Sequence, residues 1–333
     1  MSLVPRAGLG RAGTLGWGLV GCGDIAAKRV AAALRESAGS ALVAVARARS
    51  ELAAEFAKAH GARRPYADWR EVLHDPEVGA VYVATPVRLH AEQAIAAAEA
   101  GKHVLCEKPM ALDVAECERM IAAARASGVS LGVAYYRHLY PMVARLRVLI
   151  ASGAIGRPVL ADVQSFEPFD ARPDQPRGWL LKKEDSGGGP MMDFGCHRIE
   201  ILLDLLGPAE DVRGFLANVR FRGRDVEDTG VAHFEFAGGA QATLAVSHAA
   251  RERRDSFDLY GTEGSARVPV LNEGLLRLVT AAGTRDESHP PHANLHQPLV
   301  EDFVAAVRDR RPPAVTGEMG LAVTRALDAI YGR

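Results

Sequence analysis

Short apolar runs alternate with helical periodicities through the first part of the chain. Leu15 to Val20 is an apolar run ended by Gly21, and from Asp24 the apolar positions Ala26, Val30, Ala33 and Leu34 fall at helical spacing. Ala41 to Ala46 is a second run, followed by a helix-forming stretch, Ser50 to His60, with Ser50 predicted as its N-cap. The alternation continues through Ala80 to Ala84, a helix with Ala91, Ala94, Ile95 and Ala98 on one face, His103 to Cys106, a helix from Asp113 to Ala126, and Val129 to Ala134. Unbroken apolar strands separated by helices are covered on both faces, so the pattern predicts α/β architecture with a doubly wound parallel sheet.

From about Tyr140 the pattern changes. After a helical stretch from Pro141 to Ala151 come strand-like segments at Val159–Phe166, Val212–Phe221, Val231–Phe236, Ala240–Ser247 and Ser256–Gly261. Ala232, Phe234 and Phe236 alternate with His233 and Glu235, the period of a sheet buried on one side. An α+β domain with an open, mostly antiparallel sheet follows. The predicted division is residues 14–138 and 139–333, with the C-terminal helix packing back on the first domain.

Within the second pattern lies one segment of dense chemistry, Gly187-Gly188-Gly189-Pro190-Met191-Met192-Asp193-Phe194-Gly195-Cys196-His197. Pro190 suits a first helical turn, and a helix begun there places Asp193 and His197 one above the other. Ile199, Leu202, Leu203 and Leu206 then form an apolar stripe, and Asp193, His197, Glu200 and Asp204 lie opposite it. The expectation is an accessible polar face holding a carboxylate and an imidazole. The three glycines suit a sharp turn or the close approach of a ligand.

The chain has 333 residues, enough for two ordinary domains, with 48% hydrophobic and 24% charged residues. A formal net charge of -1 gives no general attraction to nucleic acid or an anionic membrane, which points to a small-molecule partner. Cys22, Cys106, Cys117 and Cys196 are scattered without disulfide or metal spacing, as expected of reduced thiols in a cytoplasm. No apolar run approaches the ~18–20 residues of a membrane span, and residues 1–13 read as a frayed or appended end without a signal peptide's apolar stretch. His289, His292 and His296 have metal-like spacing, but no carboxylate completes a set, so no metal is expected.

At the first strand-to-helix turn stands Gly21-Cys22-Gly23-Asp24-Ile25-Ala26, the G-x-G-x-x-A form of the dinucleotide fingerprint. The first glycine permits the turn, the second lets a pyrophosphate approach, and Ala26 allows close packing of helix on strand. An acid that would hold the ribose 2′-hydroxyl is expected about twenty residues further on. That region reads Ala46-Arg47-Ala48-Arg49-Ser50, with no acid before Glu51. Arg47 or Arg49 is therefore expected to receive a 2′-phosphate, which predicts NADP in preference to NAD. Glu107-Lys108-Pro109 follows the fifth main strand at the ligand-binding edge of the sheet, where a lysine can favour a substrate alkoxide and Pro109 can adopt a cis bond.

The fingerprint, Ala84-Thr85-Pro86 with His90, Glu107-Lys108-Pro109 and the Gly187–His197 segment together resemble the glucose–fructose oxidoreductase, inositol dehydrogenase and MocA family. Gly261-Thr262-Glu263-Gly264 and Leu299-Val300-Glu301-Asp302-Phe303 extend the resemblance over nearly the whole chain from Leu15. It implies hydride transfer between a nicotinamide and a hydroxyl or carbonyl carbon of a sugar, polyol or related cyclic compound. By the same resemblance Lys108 matches the catalytic lysine, His197 the general acid/base, and Asp193 a residue that orients substrate and imidazole. Gly21, Cys22, Gly23, Asp24, Ile25, Arg47, Thr85, Pro86, His90, Glu107 and Lys108 are the expected cofactor positions. Val87 departs from the asparagine many relatives have after Thr-Pro. Tyr136, Arg137, Tyr140, Arg177, Trp179, Lys182 and Lys183 are further pocket candidates, of which Tyr136 and Trp179 join Lys108, Asp193 and His197 as the expected substrate contacts. A homodimer or homotetramer is also implied. Relatives that cleave glycosides through transient oxidation, and a dinucleotide sensor on the same scaffold, are the alternative functions.

Overall fold

The computed structural model describes residues 13–333 apart from Pro173 and Pro176; the leader before them lies outside the described residues. The chain divides into two compact units, the first comprising the chain up to Tyr136 with Asn294–Leu321, and the second Arg137–Ala293 with Ala322–Arg333.

The first unit holds a six-stranded parallel sheet of β1 (Leu15–Val20), β2 (Ser40–Ala46), β3 (Arg64–Tyr66), β4 (Ala80–Val83), β5 (His103–Cys106) and β6 (Leu131–Val133). Its order, β3-β2-β1-β4-β5-β6, is the doubly wound order of dinucleotide-binding domains. The predicted apolar runs are these strands, and β1 and β4 are buried along their whole length. Trp17 of β1 lies between Tyr82 of β4 and Phe303 of the helix Gln297–Asp309, with ring centroids 6.5 and 5.4 Å away. Reversal of strand order at β1/β4 opens a crevice beyond their carboxyl ends, where Gly21 and Thr85 stand.

The second unit holds an eight-stranded, mostly antiparallel sheet: β7 (Pro158–Phe166), β8 (Ala209–Ala217), β9 (Thr229–Phe236), β10 (Gln241–Ser247), β11 (Arg254–Gly261), β12 (Gly264–Val268), β13 (Leu275–Thr280) and β14 (Gly283–Ser288). The order is β14-β13-β12-β11-β7-β10-β9-β8, with β7 and β10 the parallel pair. One face carries Ala161, Val163, Ala232, Phe234, Ala242, Leu244, Phe257 and Leu259, all buried.

Several expectations need correction. The segment expected as Val212–Phe221 is the strand Ala209–Ala217, because Asp228 draws in the main-chain N–H groups of Val219, Arg220 and Phe221 (3.0, 2.8 and 2.7 Å) and turns the chain there. Strands β12 to β14 were not expected. Gly283–Ser288 offers no apolar alternation, being held by its ladder to β13 and by the Arg277–Asp286 pair at 2.9 Å. Arg49, not Ser50, is the N-cap of the helix Ser50–His60. Among the described residues no helix is long and apolar enough to cross a membrane.

Candidate active site

In the first unit, Gly21 has φ +96°, and a Cβ there would stand 2.5 Å from the carbonyl carbon and oxygen of Ala84 and 2.7 Å from the nitrogen of Thr85. Only glycine fits so close to the end of β4. Gly23 is different: its side-chain position faces open space, which leaves its backbone approachable. Ala26 is fully buried. The helix entered from this loop passes through a π turn, Ala26–Val30, before its α-helical part, a local unwinding often found at functional sites. These features fit a dinucleotide pyrophosphate. Burial pushes the Cys22 thiol up to about 12 against the smaller opposing pull of Arg47, which keeps it protonated. Asp24 is exposed and paired with Lys28 at 2.9 Å. Arg47 is half-buried at the end of β2, and Arg49 is exposed.

Two loops beyond β4 and β5 are tied together by His90. Its Nδ1 lies 3.0 Å from the carbonyl oxygen of Pro109, and its Nε2 lies 2.9 Å from that of Thr85. The ring is 1% exposed, so it serves the main chain of both loops. Burial pulls its pKa down, and those carbonyls oppose the shift. Thr85 Oγ1 also donates to Gln93 Oε1 at 2.8 Å. The Lys108–Pro109 bond is cis, as the sequence suggested. Glu107 is buried, and its Oε2 accepts the Lys108 N–H at 3.2 Å while Oε1 accepts the Tyr82 hydroxyl at 2.8 Å.

In the second unit the glycine run has a purpose the sequence did not reveal. Gly187 is left-handed, with φ +81°. A Cβ on Gly188 would fall 2.1 Å from the Tyr331 hydroxyl, and one on Gly189 would fall 2.0 Å from the Glu227 carbonyl oxygen. The close approach is made by the protein's own groups. Glu227 then accepts the N–H groups of Gly189 (2.8 Å) and Met191 (3.2 Å) and the Tyr331 hydroxyl (2.7 Å), placing a carboxylate on the otherwise unsatisfied donors of a helix start.

That helix begins with a second π turn, Met191–Gly195, and continues as Cys196–Leu206. The expectation of an accessible polar face is not met. His197 and Glu200 are 1% and 0% exposed. The side opposite the apolar stripe is packed as well, with Glu200 Oε1 2.7 Å from His138 Nδ1 and Asp204 2.6 Å from Arg147. Burial raises the Glu200 carboxyl, with His138 opposing. Asp193 is only partly buried, and its Oδ2 lies 3.4 Å from Arg177 Nη2 and 3.8 Å from His248 Nε2. The His248 ring is itself buried against Phe169 and Phe194. Trp179 packs on the cluster of Phe169, Leu180, Leu181 and Val226.

Sequence reasoning missed His248 and Glu227. His248 follows a strand with no periodic mark, and only the adjacent acids Glu227-Asp228 before β9 hinted at a buried carboxylate. Two of the three histidines with metal-like spacing have carboxylate partners of their own, His289 with Glu287 at 2.8 Å and His296 with Glu107 at 3.3 Å.

Residues 15–135 match the oxidoreductase family with an NAD-binding Rossmann fold, and residues 143–267 match the GFO/IDH/MocA C-terminal domain. The chain belongs to the GFO/IDH/MocA oxidoreductase family. It is 34% identical over 325 residues to a 1,5-anhydro-D-fructose reductase of Ensifer adhaerens, covering 93% of this chain and 95% of the relative. It is 31% identical over 275 residues to a D-xylose 1-dehydrogenase [NADP(+)] of Haloarcula marismortui, covering 80% and 75%. A levoglucosan dehydrogenase solved in complex with NADH and levoglucosan superimposes with a TM-score of 0.88 at 29% identity, over 96% of both chains. This family member is an NAD(P)-dependent oxidoreductase acting on CH–OH groups.

Proposed function

We propose that the protein moves a hydride between NADP(H) and a carbinol or carbonyl carbon of a sugar, polyol or related cyclic compound. The observation that carries this is the crowded Gly21 and open Gly23 at the β1/β4 crevice, in the same unit as Lys108 just beyond β5. The names of the relatives, a reductase and two dehydrogenases of sugars, support the substrate class. The nicotinamide, when bound, supplies the hydride acceptor or donor. Gly21, Cys22, Gly23, Asp24 and Ile25 hold the pyrophosphate through main-chain groups, with Thr85, Pro86 and the Glu107–Lys108 loop on the nicotinamide side. His90 contributes by fixing that loop.

Lys108 presents its ammonium to the substrate oxygen and favours the alkoxide. His197 takes the hydroxyl proton during oxidation and returns it during reduction. Asp193 orients substrate and imidazole, while its own carboxylate is steadied by Arg177. Tyr136 and Trp179 complete the substrate contacts. The hydrolase alternative predicts cleavage of an aryl glycoside without net NADPH formation.

The preference for NADP rests on Arg47 and Arg49 at the end of β2 and on the lack of an acid before Glu51. Replacing both arginines with alanine is expected to cost ~1.5–3 kcal/mol of NADPH affinity, tenfold or more, and to leave NADH binding nearly unchanged. Titration of both cofactors by fluorescence checks this. An undiminished NADPH preference contradicts it.

The outer face of the eight-stranded sheet supports a homodimer or homotetramer. Phe215 is 82% exposed and sits directly opposite Val231, itself 46% exposed, which in turn pairs with Ala245. An exposed apolar pair on neighbouring strands, continued by the half-buried Ala245, is what a second copy would cover. Phe215→Arg is expected to shift the mass seen by light scattering to that of a monomer, whereas an unchanged oligomer would clear this face of the role.

A further inference from the structure

The chain returns to the first unit at Asn294, and the return is closely fixed. Asn294 Nδ2 donates to the carbonyl oxygen of Arg29, in the π turn after the fingerprint, at 3.0 Å. Its Oδ1 accepts the His296 N–H at 3.1 Å. His296 is the N-cap residue of the helix Gln297–Asp309, yet its side chain does not cap that helix. The imidazole is instead fully buried, with its ring centroid 4.5 Å from that of Tyr136 and its Nε2 3.3 Å from Glu107 Oε1. Nδ1 has no hydrogen-bond partner among the described residues, so Glu107 is the ring's polar anchor.

Glu107 thereby links two distant parts of the chain. Oε1 takes the Tyr82 hydroxyl and His296, and Oε2 takes the main-chain N–H of Lys108. We propose that His296 is a positioning residue for the reaction: through Glu107 it holds the amide of Lys108, and so fixes where the lysine stands relative to the substrate oxygen. The inference rests on the role given to Lys108 above. In this proposal His296 acts through Glu107 and does not touch the substrate.

The charge state of Glu107 is what the imidazole secures. Burial alone would raise this carboxyl, but the hydrogen bond and charge of His296, with Lys108 and the Tyr82 hydroxyl, bring it from 4.5 down to about 2. Beside Lys108, the other groups facing it do not replace the hydrogen bond from His296. The Tyr82 phenol and Cys106 thiol are pushed up by burial and stay neutral, and His90 is pulled down by burial. Without His296 only Lys108 and the Tyr82 hydroxyl still oppose burial, and the carboxyl rises. A neutral Glu107 is then populated as pH falls, and a carboxylic acid grips the Lys108 N–H less well than a carboxylate does.

The test compares the full-length enzyme with His296→Phe, which keeps an aromatic ring beside Tyr136, and His296→Gln, which keeps a neutral N–H donor. His296→Phe is expected to lower kcat about tenfold or more while the KM for the sugar and the Kd for NADPH stay near wild type. The deficit should deepen as pH is lowered, and His296→Gln should recover part of it. Equal kcat in wild type and His296→Phe at every pH overturns the proposal, as does a loss confined to melting temperature. Where His296→Phe does not fold, His296→Gln is read alone, and a kcat deficit that does not change with pH overturns it. Lys108→Met is measured beside them. Retained turnover in that variant removes Lys108 from the reaction, whereas an inactive Lys108→Met beside a normal His296→Phe removes only His296.

Discussion

Replacing His197 with alanine is expected to lower turnover about 10²–10⁴-fold and to leave cofactor affinity nearly intact. Oxidation of a secondary alcohol releases a hydroxyl proton, and an imidazole is the side chain that exchanges protons near neutral pH. His197 is 1% exposed, on a helix whose start is fixed by Glu227 and Tyr331, so its backbone position is well defined. The same burial means the substitution leaves a small cavity, and a melting curve must accompany the assay. The kinetic loss should exceed anything a modest fall in stability produces at the assay temperature. Steady-state kcat and NADPH titration on the folded variant separate the two effects. Undiminished kcat would remove His197 from the mechanism.

Replacing Gly21 with valine is expected to abolish useful cofactor binding. The residue has φ +96°, where a side chain costs ~1–3 kcal/mol, and the new Cβ would stand 2.5 Å from main-chain atoms that cannot swing away. Relief requires the loop to move from Ala84 and Thr85, which dismantles the turn that faces the crevice. NADPH affinity should fall about a hundredfold or more, the equivalent of ~2.8 kcal/mol, and the melting temperature should fall with it. Gly23→Ala is the control. Nothing lies within 4 Å of its added carbon, so the fold should hold and only the cofactor should sense the change. Equal affinity in wild type and Gly21→Val contradicts the assignment of this loop.

The parallel sheet was legible because its strands are uninterrupted apolar runs such as Leu15–Val20, bounded by glycine or by helical spacing. The second sheet was legible only where one face is apolar, as in Ala232, Phe234 and Phe236; β14, with Thr284, Arg285, Asp286 and Glu287 in sequence, is recruited by its neighbour. The fingerprint and the Lys108 loop were legible because both depend on adjacent residues. Partnerships across long separations were not. His296 and Glu107 are 189 positions apart, and His138 and Glu200 are 62 apart. A helical pattern tells which face is apolar but not whether the polar face meets water or a buried partner. His197 and Glu200 were therefore placed on the correct helix and in the wrong environment. Of the two purposes the glycine run suggests, a sharp turn or the approach of a ligand, the turn is present at Gly187, while the close approach is made by Tyr331 and Glu227, which lie far along the chain.

The most direct test is a nicotinamide absorbance assay across sugars, polyols and their keto forms, with NADP(H) and NAD(H) supplied separately and His197→Ala run in parallel. Wild-type enzyme should interconvert oxidised and reduced nicotinamide in stoichiometric step with at least one sugar or polyol, faster with NADP(H), and His197→Ala should lose the rate. Contradiction would be the absence of any nicotinamide change in every pair while an aryl glycoside is cleaved by the same preparation.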